Sequence, residues 1–193
     1  MPPKARYTRE EVIEKAISLV REQGYERLTA RELGKYMGCS SRPIFTVFST
    51  MEELKEEVKK EAQKLYTEYI DKTISRQDVI FKDVGKVYIK FAQDENNLFR
   101  LLYMMSTSKK SYNVMNTLPN IEPKYDAIIE GVASQFELNY TQAEKLYRHL
   151  WIYTHSIAVM TVTNMCTFTE ENIDECLSEV CRSILSALKR GDM

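Results

Sequence analysis

Three observations predict an all-α fold of about nine helices. Apolar residues recur at three- and four-residue spacing through most of the 193 positions. Thr followed three residues later by Glu marks the start of several of those stretches. Chain breakers are few, with six Gly and five Pro. The prolines are segregated, because none stands between Lys4 and Arg42 or after Lys124. Both stretches can run as helices interrupted only by glycine. Hydrophobic residues at 44% and charged residues at 28% suffice for a sizeable core and exclude wholesale disorder.

The first helix opens on a capping box of Thr8 and Glu11 and carries Val12, Ile13, Ala16, Ile17 and Val20 on one face. Gly24 ends it in a left-handed position. Thr29 with Glu32 repeats the box for a shorter helix holding Leu33 and Met37, which Gly38 closes. Ser40 and Ser41 offer the cap of a third helix, where Pro43 is tolerable because first-turn amides have no intrahelical partner. Ile44 and Phe48 lie four apart on it. Thr50 with Glu53 opens a long charged helix running to about Ile74. Its charge run from Glu52 to Glu61 alternates sign at helical pairing distance, as a solvated face does.

Later helices are expected over Asp78–Gln93, Asn96–Ser106 and Lys124–Leu138. Two long ones follow, from Thr141 with Glu144 to about Met165, and from Thr169 with Glu170 and Glu171 to Lys189 and Arg190. Acid at the start of the last helix and base at its end suit the helix dipole. The connection Thr107–Pro123 is long and rich in Ser, Thr, Asn and Lys, which is unusual unless functional or mobile.

Chemistry concentrates in residues 29–48. A capped short helix, a turn at Gly38-Cys39-Ser40 and a second short helix make a helix-turn-helix. Leu33, Met37, Ile44 and Phe48 lock the crossing, and Ser41, Arg42 and Thr46 are left free to enter a DNA major groove. The expected DNA-facing set is Thr29, Arg31, Ser40, Ser41, Arg42, Pro43, Phe45 and Thr46, with Lys4, Arg6 and Lys55 at its margins. Residues 1–50 carry nine Lys and Arg against six Asp and Glu. The rest of the chain is mildly acidic, and the formal net charge of the whole is −1. So small a basic excess makes affinity depend on pairing two subunits across a palindrome.

Residues 8–54 resemble the N-terminal domain of the tetracycline-repressor family of bacterial transcriptional regulators. The likeness lies in Ile17-Ser-Leu-Val-Arg-Glu-Gln-Gly-Tyr25, Leu28-Thr-Ala-Arg-Glu-Leu33, the turn Gly-Cys-Ser40, Ile44-Phe-Thr-Val-Phe48 and Ser49-Thr-Met-Glu-Glu-Leu54. A later stretch, Trp151-Ile-Tyr-Thr-His155-Ser156, resembles a Trp-x-x-x-His-Gly motif of some members, with Ser156 in place of Gly. Phe45 stands where the family usually has Tyr, Val47 where His or Tyr is common, and Met51 where Lys is frequent. Phosphate contacts made by those groups are absent here. The resemblance implies a DNA-binding domain over 1–50 and a helical ligand-binding and dimerising domain over 51–193. It further implies a homodimer formed through the last two helices, a palindromic operator on double-stranded DNA, and a repressor released by a small apolar or aromatic effector. Leu146, Leu150, Ile157, Ile173, Leu177, Val180, Ile184 and Leu188 could supply the dimer face, with the monomer core as their competing use.

Tyr88, Phe99, Tyr103, Met104, Tyr112, Tyr125, Trp151 and His155 are the candidate effector residues. Each also has a plain reading as core filling, and His155 as a hydrogen-bonded interior histidine. Cys39, Cys166, Cys176 and Cys181 show no zinc spacing and read as reduced thiols of a cytoplasmic protein. A redox or metal sensor among the last three is the alternative. No secretory signal is apparent, and no apolar run approaches the roughly 20 residues that span a bilayer, so no membrane partner is expected. No cofactor motif, metal cluster or catalytic constellation is recognisable. A helical protein-interaction adaptor and, less readily, a small-molecule enzyme are the competing classes.

Overall fold

The computed structural model describes residues 7–74, 81–105 and 125–192. It is all-helical there, with eight α-helices: α1 Arg9–Gln23, α2 Ala30–Tyr36, α3 Met51–Ile74, α4 Phe81–Asp94, α5 Asn96–Phe99, α6 Tyr125–Phe136, α7 Tyr140–Val162 and α8 Glu170–Arg190. The expected ninth, over residues 41–48, is a three-residue 3₁₀ turn at Ile44–Thr46. The segment expected as one helix from Asn96 is a four-residue α-turn that continues as a π-turn, Arg100–Met104. The Thr107–Pro123 connection and Tyr112 lie outside the described residues.

The chain divides into two compact units, Met1–Tyr66 with Glu95–Ser106, and Thr67–Asp94 with Thr107–Met193. The first part of α3 and the α5 stretch fall in the same unit as the N-terminal helices. In the first unit, Val12, Ala16, Leu19 and Val20 of α1 are fully covered. α1 packs on α2 and α5, and Leu98, Phe99 and Leu101 complete the core. Arg21 pairs with Glu95, and the Asn97 side-chain amide donates to the Arg21 carbonyl at 2.8 Å. The α1 capping box forms in full, with the Thr8 amide donating to Glu11 at 2.8 Å and the Glu11 amide to the Thr8 hydroxyl at 3.1 Å. Gly24 ends α1 at φ 87°, ψ 160°. That conformation is extended rather than left-handed helical, and only glycine adopts it without strain.

In the second unit α4 packs against α7 and α8, and α7 against α6 and α8. Tyr88, Ile89 and Phe91 of α4 meet a core that includes Leu146, Leu150, Ile157, Ile173 and Leu177. Six of the eight residues proposed for a dimer face are therefore used inside the monomer, and only Val180 and Ile184 are half-exposed. The α7 cap is Asn139 with Gln142, two residues ahead of the expected Thr141 with Glu144. α8 opens as expected on Thr169, with Glu170 and Glu171 in its first turn, and Asn172 completes the capping box. Among the described residues no helix is long and apolar enough to cross a membrane.

Candidate nucleic-acid interface

α2 begins where the Glu32 amide donates to the Thr29 hydroxyl at 3.2 Å, half of the expected box. Its C-terminus is closed from outside, since the Tyr7 hydroxyl donates to the Met37 carbonyl at 3.2 Å. The chain then folds back over α2 so tightly that it passes against Gly34. A Cβ there would stand 2.9 Å from the Ser40 carbonyl carbon and 3.0 Å from the Ser41 nitrogen. The small residue that the crossing demands is thus Gly34, whereas a Cβ at Gly38 would meet nothing within 4 Å.

The turn that follows is held by successive i to i+3 hydrogen bonds. The Ile44 amide donates to Ser41, the Thr46 amide to Pro43 and the Val47 amide to Ile44, at 3.1–3.2 Å. An α-helix would send the Val47 amide to the Pro43 carbonyl. The Thr46 hydroxyl competes for that acceptor at 2.6 Å. Pro43 has no amide to give, and the β-branched Ile44, Thr46 and Val47 resist the helical conformation. The backbone tightens instead. Ile44 and Phe48 are buried and anchor the turn, while Phe45 keeps 48% of its surface exposed.

Of the other expected DNA-facing residues, Thr29, Arg31, Ser40, Arg42 and Thr46 are exposed, and Ser41 and Pro43 are half-buried. Neither Arg31 nor Arg42 makes a hydrogen bond or ion pair among the described residues. Lys55 is half-buried, its ammonium 5.7 Å from the centre of the Tyr25 ring, and is occupied with its own fold. Lys4 and Arg6 lie outside the described residues.

Arg9 was missing from the expected set. Its guanidinium donates to the Val47 carbonyl at 3.2 Å and to Glu53 at 2.7 Å, and it lies 4.2 Å over the Phe48 ring. It ties the start of α1 to the end of the Ile44–Thr46 turn and the start of α3. The backbone amide of Ser49, at 2.8 Å, and then Arg9 hold the Glu53 carboxyl below its ordinary pKa. A cation in the first turn of a helix opposes the dipole, and that misfit was the available signal.

The described candidate effector residues fall in both units. Phe99, Tyr103 and Met104 belong to the first unit, where the Tyr103 ring meets Tyr66 at 5.8 Å and Phe99 at 5.1 Å. Tyr88, Trp151 and His155 do come together in the second. The Tyr88 hydroxyl lies 2.8 Å from His155 Nδ1, and the Trp151 and His155 rings stack at 4.9 Å. Burial lowers the His155 pKa, so the imidazole tends to stay neutral. Tyr125 stands edge-on to Tyr147, and burial, then its hydrogen bond to Glu144, pushes its phenol upward.

A cleft of about 300 Å³ in this unit is lined by Lys82, Gln135, Phe136, Ser178, Cys181 and Arg182, none of them expected. The Lys82 ammonium is held there by Asp174 at 2.8 Å and Ser178 at 3.2 Å. Burial raises the Cys181 thiol. Among the described residues no group of three or more His, Cys, Asp or Glu is placed to hold a metal. No protein-family model matches the chain, and no curated protein matches it.

Proposed function

We propose that the chain is a DNA-binding transcriptional regulator, a repressor that binds a palindromic operator as a homodimer in the cytoplasm and is released by a small apolar or aromatic effector. One observation carries the reading. An anchored turn, buried through Ile44 and Phe48, presents Ser40, Arg42, Phe45 and Thr46 to solvent, and Arg42 makes no hydrogen bond or ion pair among the described residues. A groove-binding element has a use for both an exposed phenylalanine, which can meet a thymine methyl, and exposed arginines, which can meet guanine or phosphate. The resemblance to tetracycline-repressor proteins supports the same reading.

The last two helices pair with their symmetry mates through half-exposed Val180 and Ile184 and exposed Ile152. This places two recognition turns about 34–36 Å apart, in successive major grooves. The aromatic cluster of Tyr88, Trp151 and His155 offers the effector a stacking surface. The effector acts by binding the two spacings of the dimer with different affinity. The reading is of a regulator and not of an enzyme.

Selection from random duplexes, followed by gel shift, tests it. Retained sequences converge on an inverted repeat. Arg42→Ala weakens binding to that repeat by about tenfold or more. Retention of no duplex above background overturns the reading and favours a protein-binding adaptor.

A further inference from the structure

The exposed surface of the recognition turn has a restricted chemistry. From Gly38 to Thr50 the chain contains no Asn, Gln, Asp or Glu. An adenine is read in the major groove by a carboxamide that bridges N6 and N7, and a cytosine by a carboxylate that accepts from N4. The turn carries neither. Its hydroxyls, on Ser40, Ser41, Thr46, Ser49 and Thr50, discriminate little among bases. Two side chains with a base preference remain. The Arg42 guanidinium, free of partners among the described residues, has the donor fork that fits guanine O6 and N7. The Phe45 ring, 48% exposed, has the apolar surface that fits a thymine methyl. Thr46 commits its hydroxyl proton to the Pro43 carbonyl at 2.6 Å, which leaves its methyl as the group able to add to that apolar surface.

Position within the turn links the two. Arg42 and Phe45 are three residues apart, Phe45 inside the 3₁₀ turn Ile44–Thr46 and Arg42 just ahead of it, where the Ile44 amide donates to Ser41 and the Thr46 amide to Pro43. In 3₁₀ geometry such residues eclipse, about 6 Å apart along the axis. That is less than two base steps of about 3.4 Å.

We infer that each half-site of the operator contains a guanine with a thymine within two base pairs of it, the guanine read by Arg42 and the thymine methyl by Phe45. The inference rests on the regulator reading above and specifies its nucleic-acid partner.

The test begins with the duplex recovered by selection. Thymine in the half-site is replaced by uracil, which deletes only the methyl, and guanine by 7-deazaguanine, which deletes only N7. Each is titrated against the native chain, Arg42→Ala and Phe45→Ala. Both side chains are exposed, so the variants fold, and thermal melts confirm it. For the native chain uracil weakens binding roughly fourfold per half-site, the value of one buried methyl. For Phe45→Ala it changes nothing further. 7-Deazaguanine weakens the native chain by about tenfold or more and leaves Arg42→Ala unaffected. If the selected repeat lacks such a guanine and thymine, or uracil costs the native chain and Phe45→Ala equally, the base assignment is wrong while the regulator reading stands. If no duplex is selected, both fall.

Discussion

At the scale of single residues, the turn after α2 depends on Gly34, against which its backbone passes closely. Gly34→Ala puts a methyl 2.9 Å from the Ser40 backbone, and backbone cannot swing aside as a flexible side chain can. The expected loss is roughly 1–3 kcal/mol of stability, read from denaturant unfolding. Gly131→Ala in α6 is the counterpart, since its Cβ would meet nothing within 4 Å. That change gains roughly 0.5–1 kcal/mol by removing a flexible residue from a helix interior. If both substitutions destabilise alike, the close approach at Gly34 does not exist. Neither consequence was legible in the sequence. Gly38 draws attention because it ends a hydrophobic stretch, whereas the demand on Gly34 arises from chain six residues further on.

Among elements, legibility followed the range of the forces involved. The Thr8 and Glu11 box was readable because all its partners lie within four residues. The α7 start was misplaced because Asn139 with Gln142 and Thr141 with Glu144 satisfy the same local pattern, and which one is used depends on where the chain arrives. The third helix shrank to a turn for reasons that are local yet subtle, a proline and three β-branched residues within five positions. The candidate effector set was least legible, because helical spacing marks an aromatic as inward-facing without saying which interior it joins. Phe99 and Tyr88 show the same spacing and lie in different units. α2, with seven residues, is too short to persist without its cap. Thr29→Ala therefore costs about 1 kcal/mol, measurable by equilibrium unfolding. An unchanged midpoint would show that the Thr29 bond contributes nothing.

For the molecule as a whole, the Asp174 ion pairs contribute to how stability depends on pH at the acid end. Hydrogen bonds from Lys82 and then Lys86 lower the Asp174 pKa from 3.8 to about 2. The folded carboxyl is thus harder to protonate than the unfolded one. Its contribution is complete above about pH 4 and fades as pH falls toward 2. Asp174→Asn flattens that part of the stability profile, followed by denaturant midpoints of both proteins across that range. Parallel profiles would rule the contact out.

The first unit is assembled from two stretches of chain that are far apart in sequence, because residues 95–105 return to cover α1 and anchor it through Glu95 and Asn97. A chimera that grafts only the leading fifty residues onto a foreign helical body would discard Leu98, Phe99 and Leu101 and expose the apolar flank they cover. Swapping this module between proteins, in the laboratory or by recombination, therefore requires three simultaneous crossovers, one on each side of the intervening stretch and a third after residue 106.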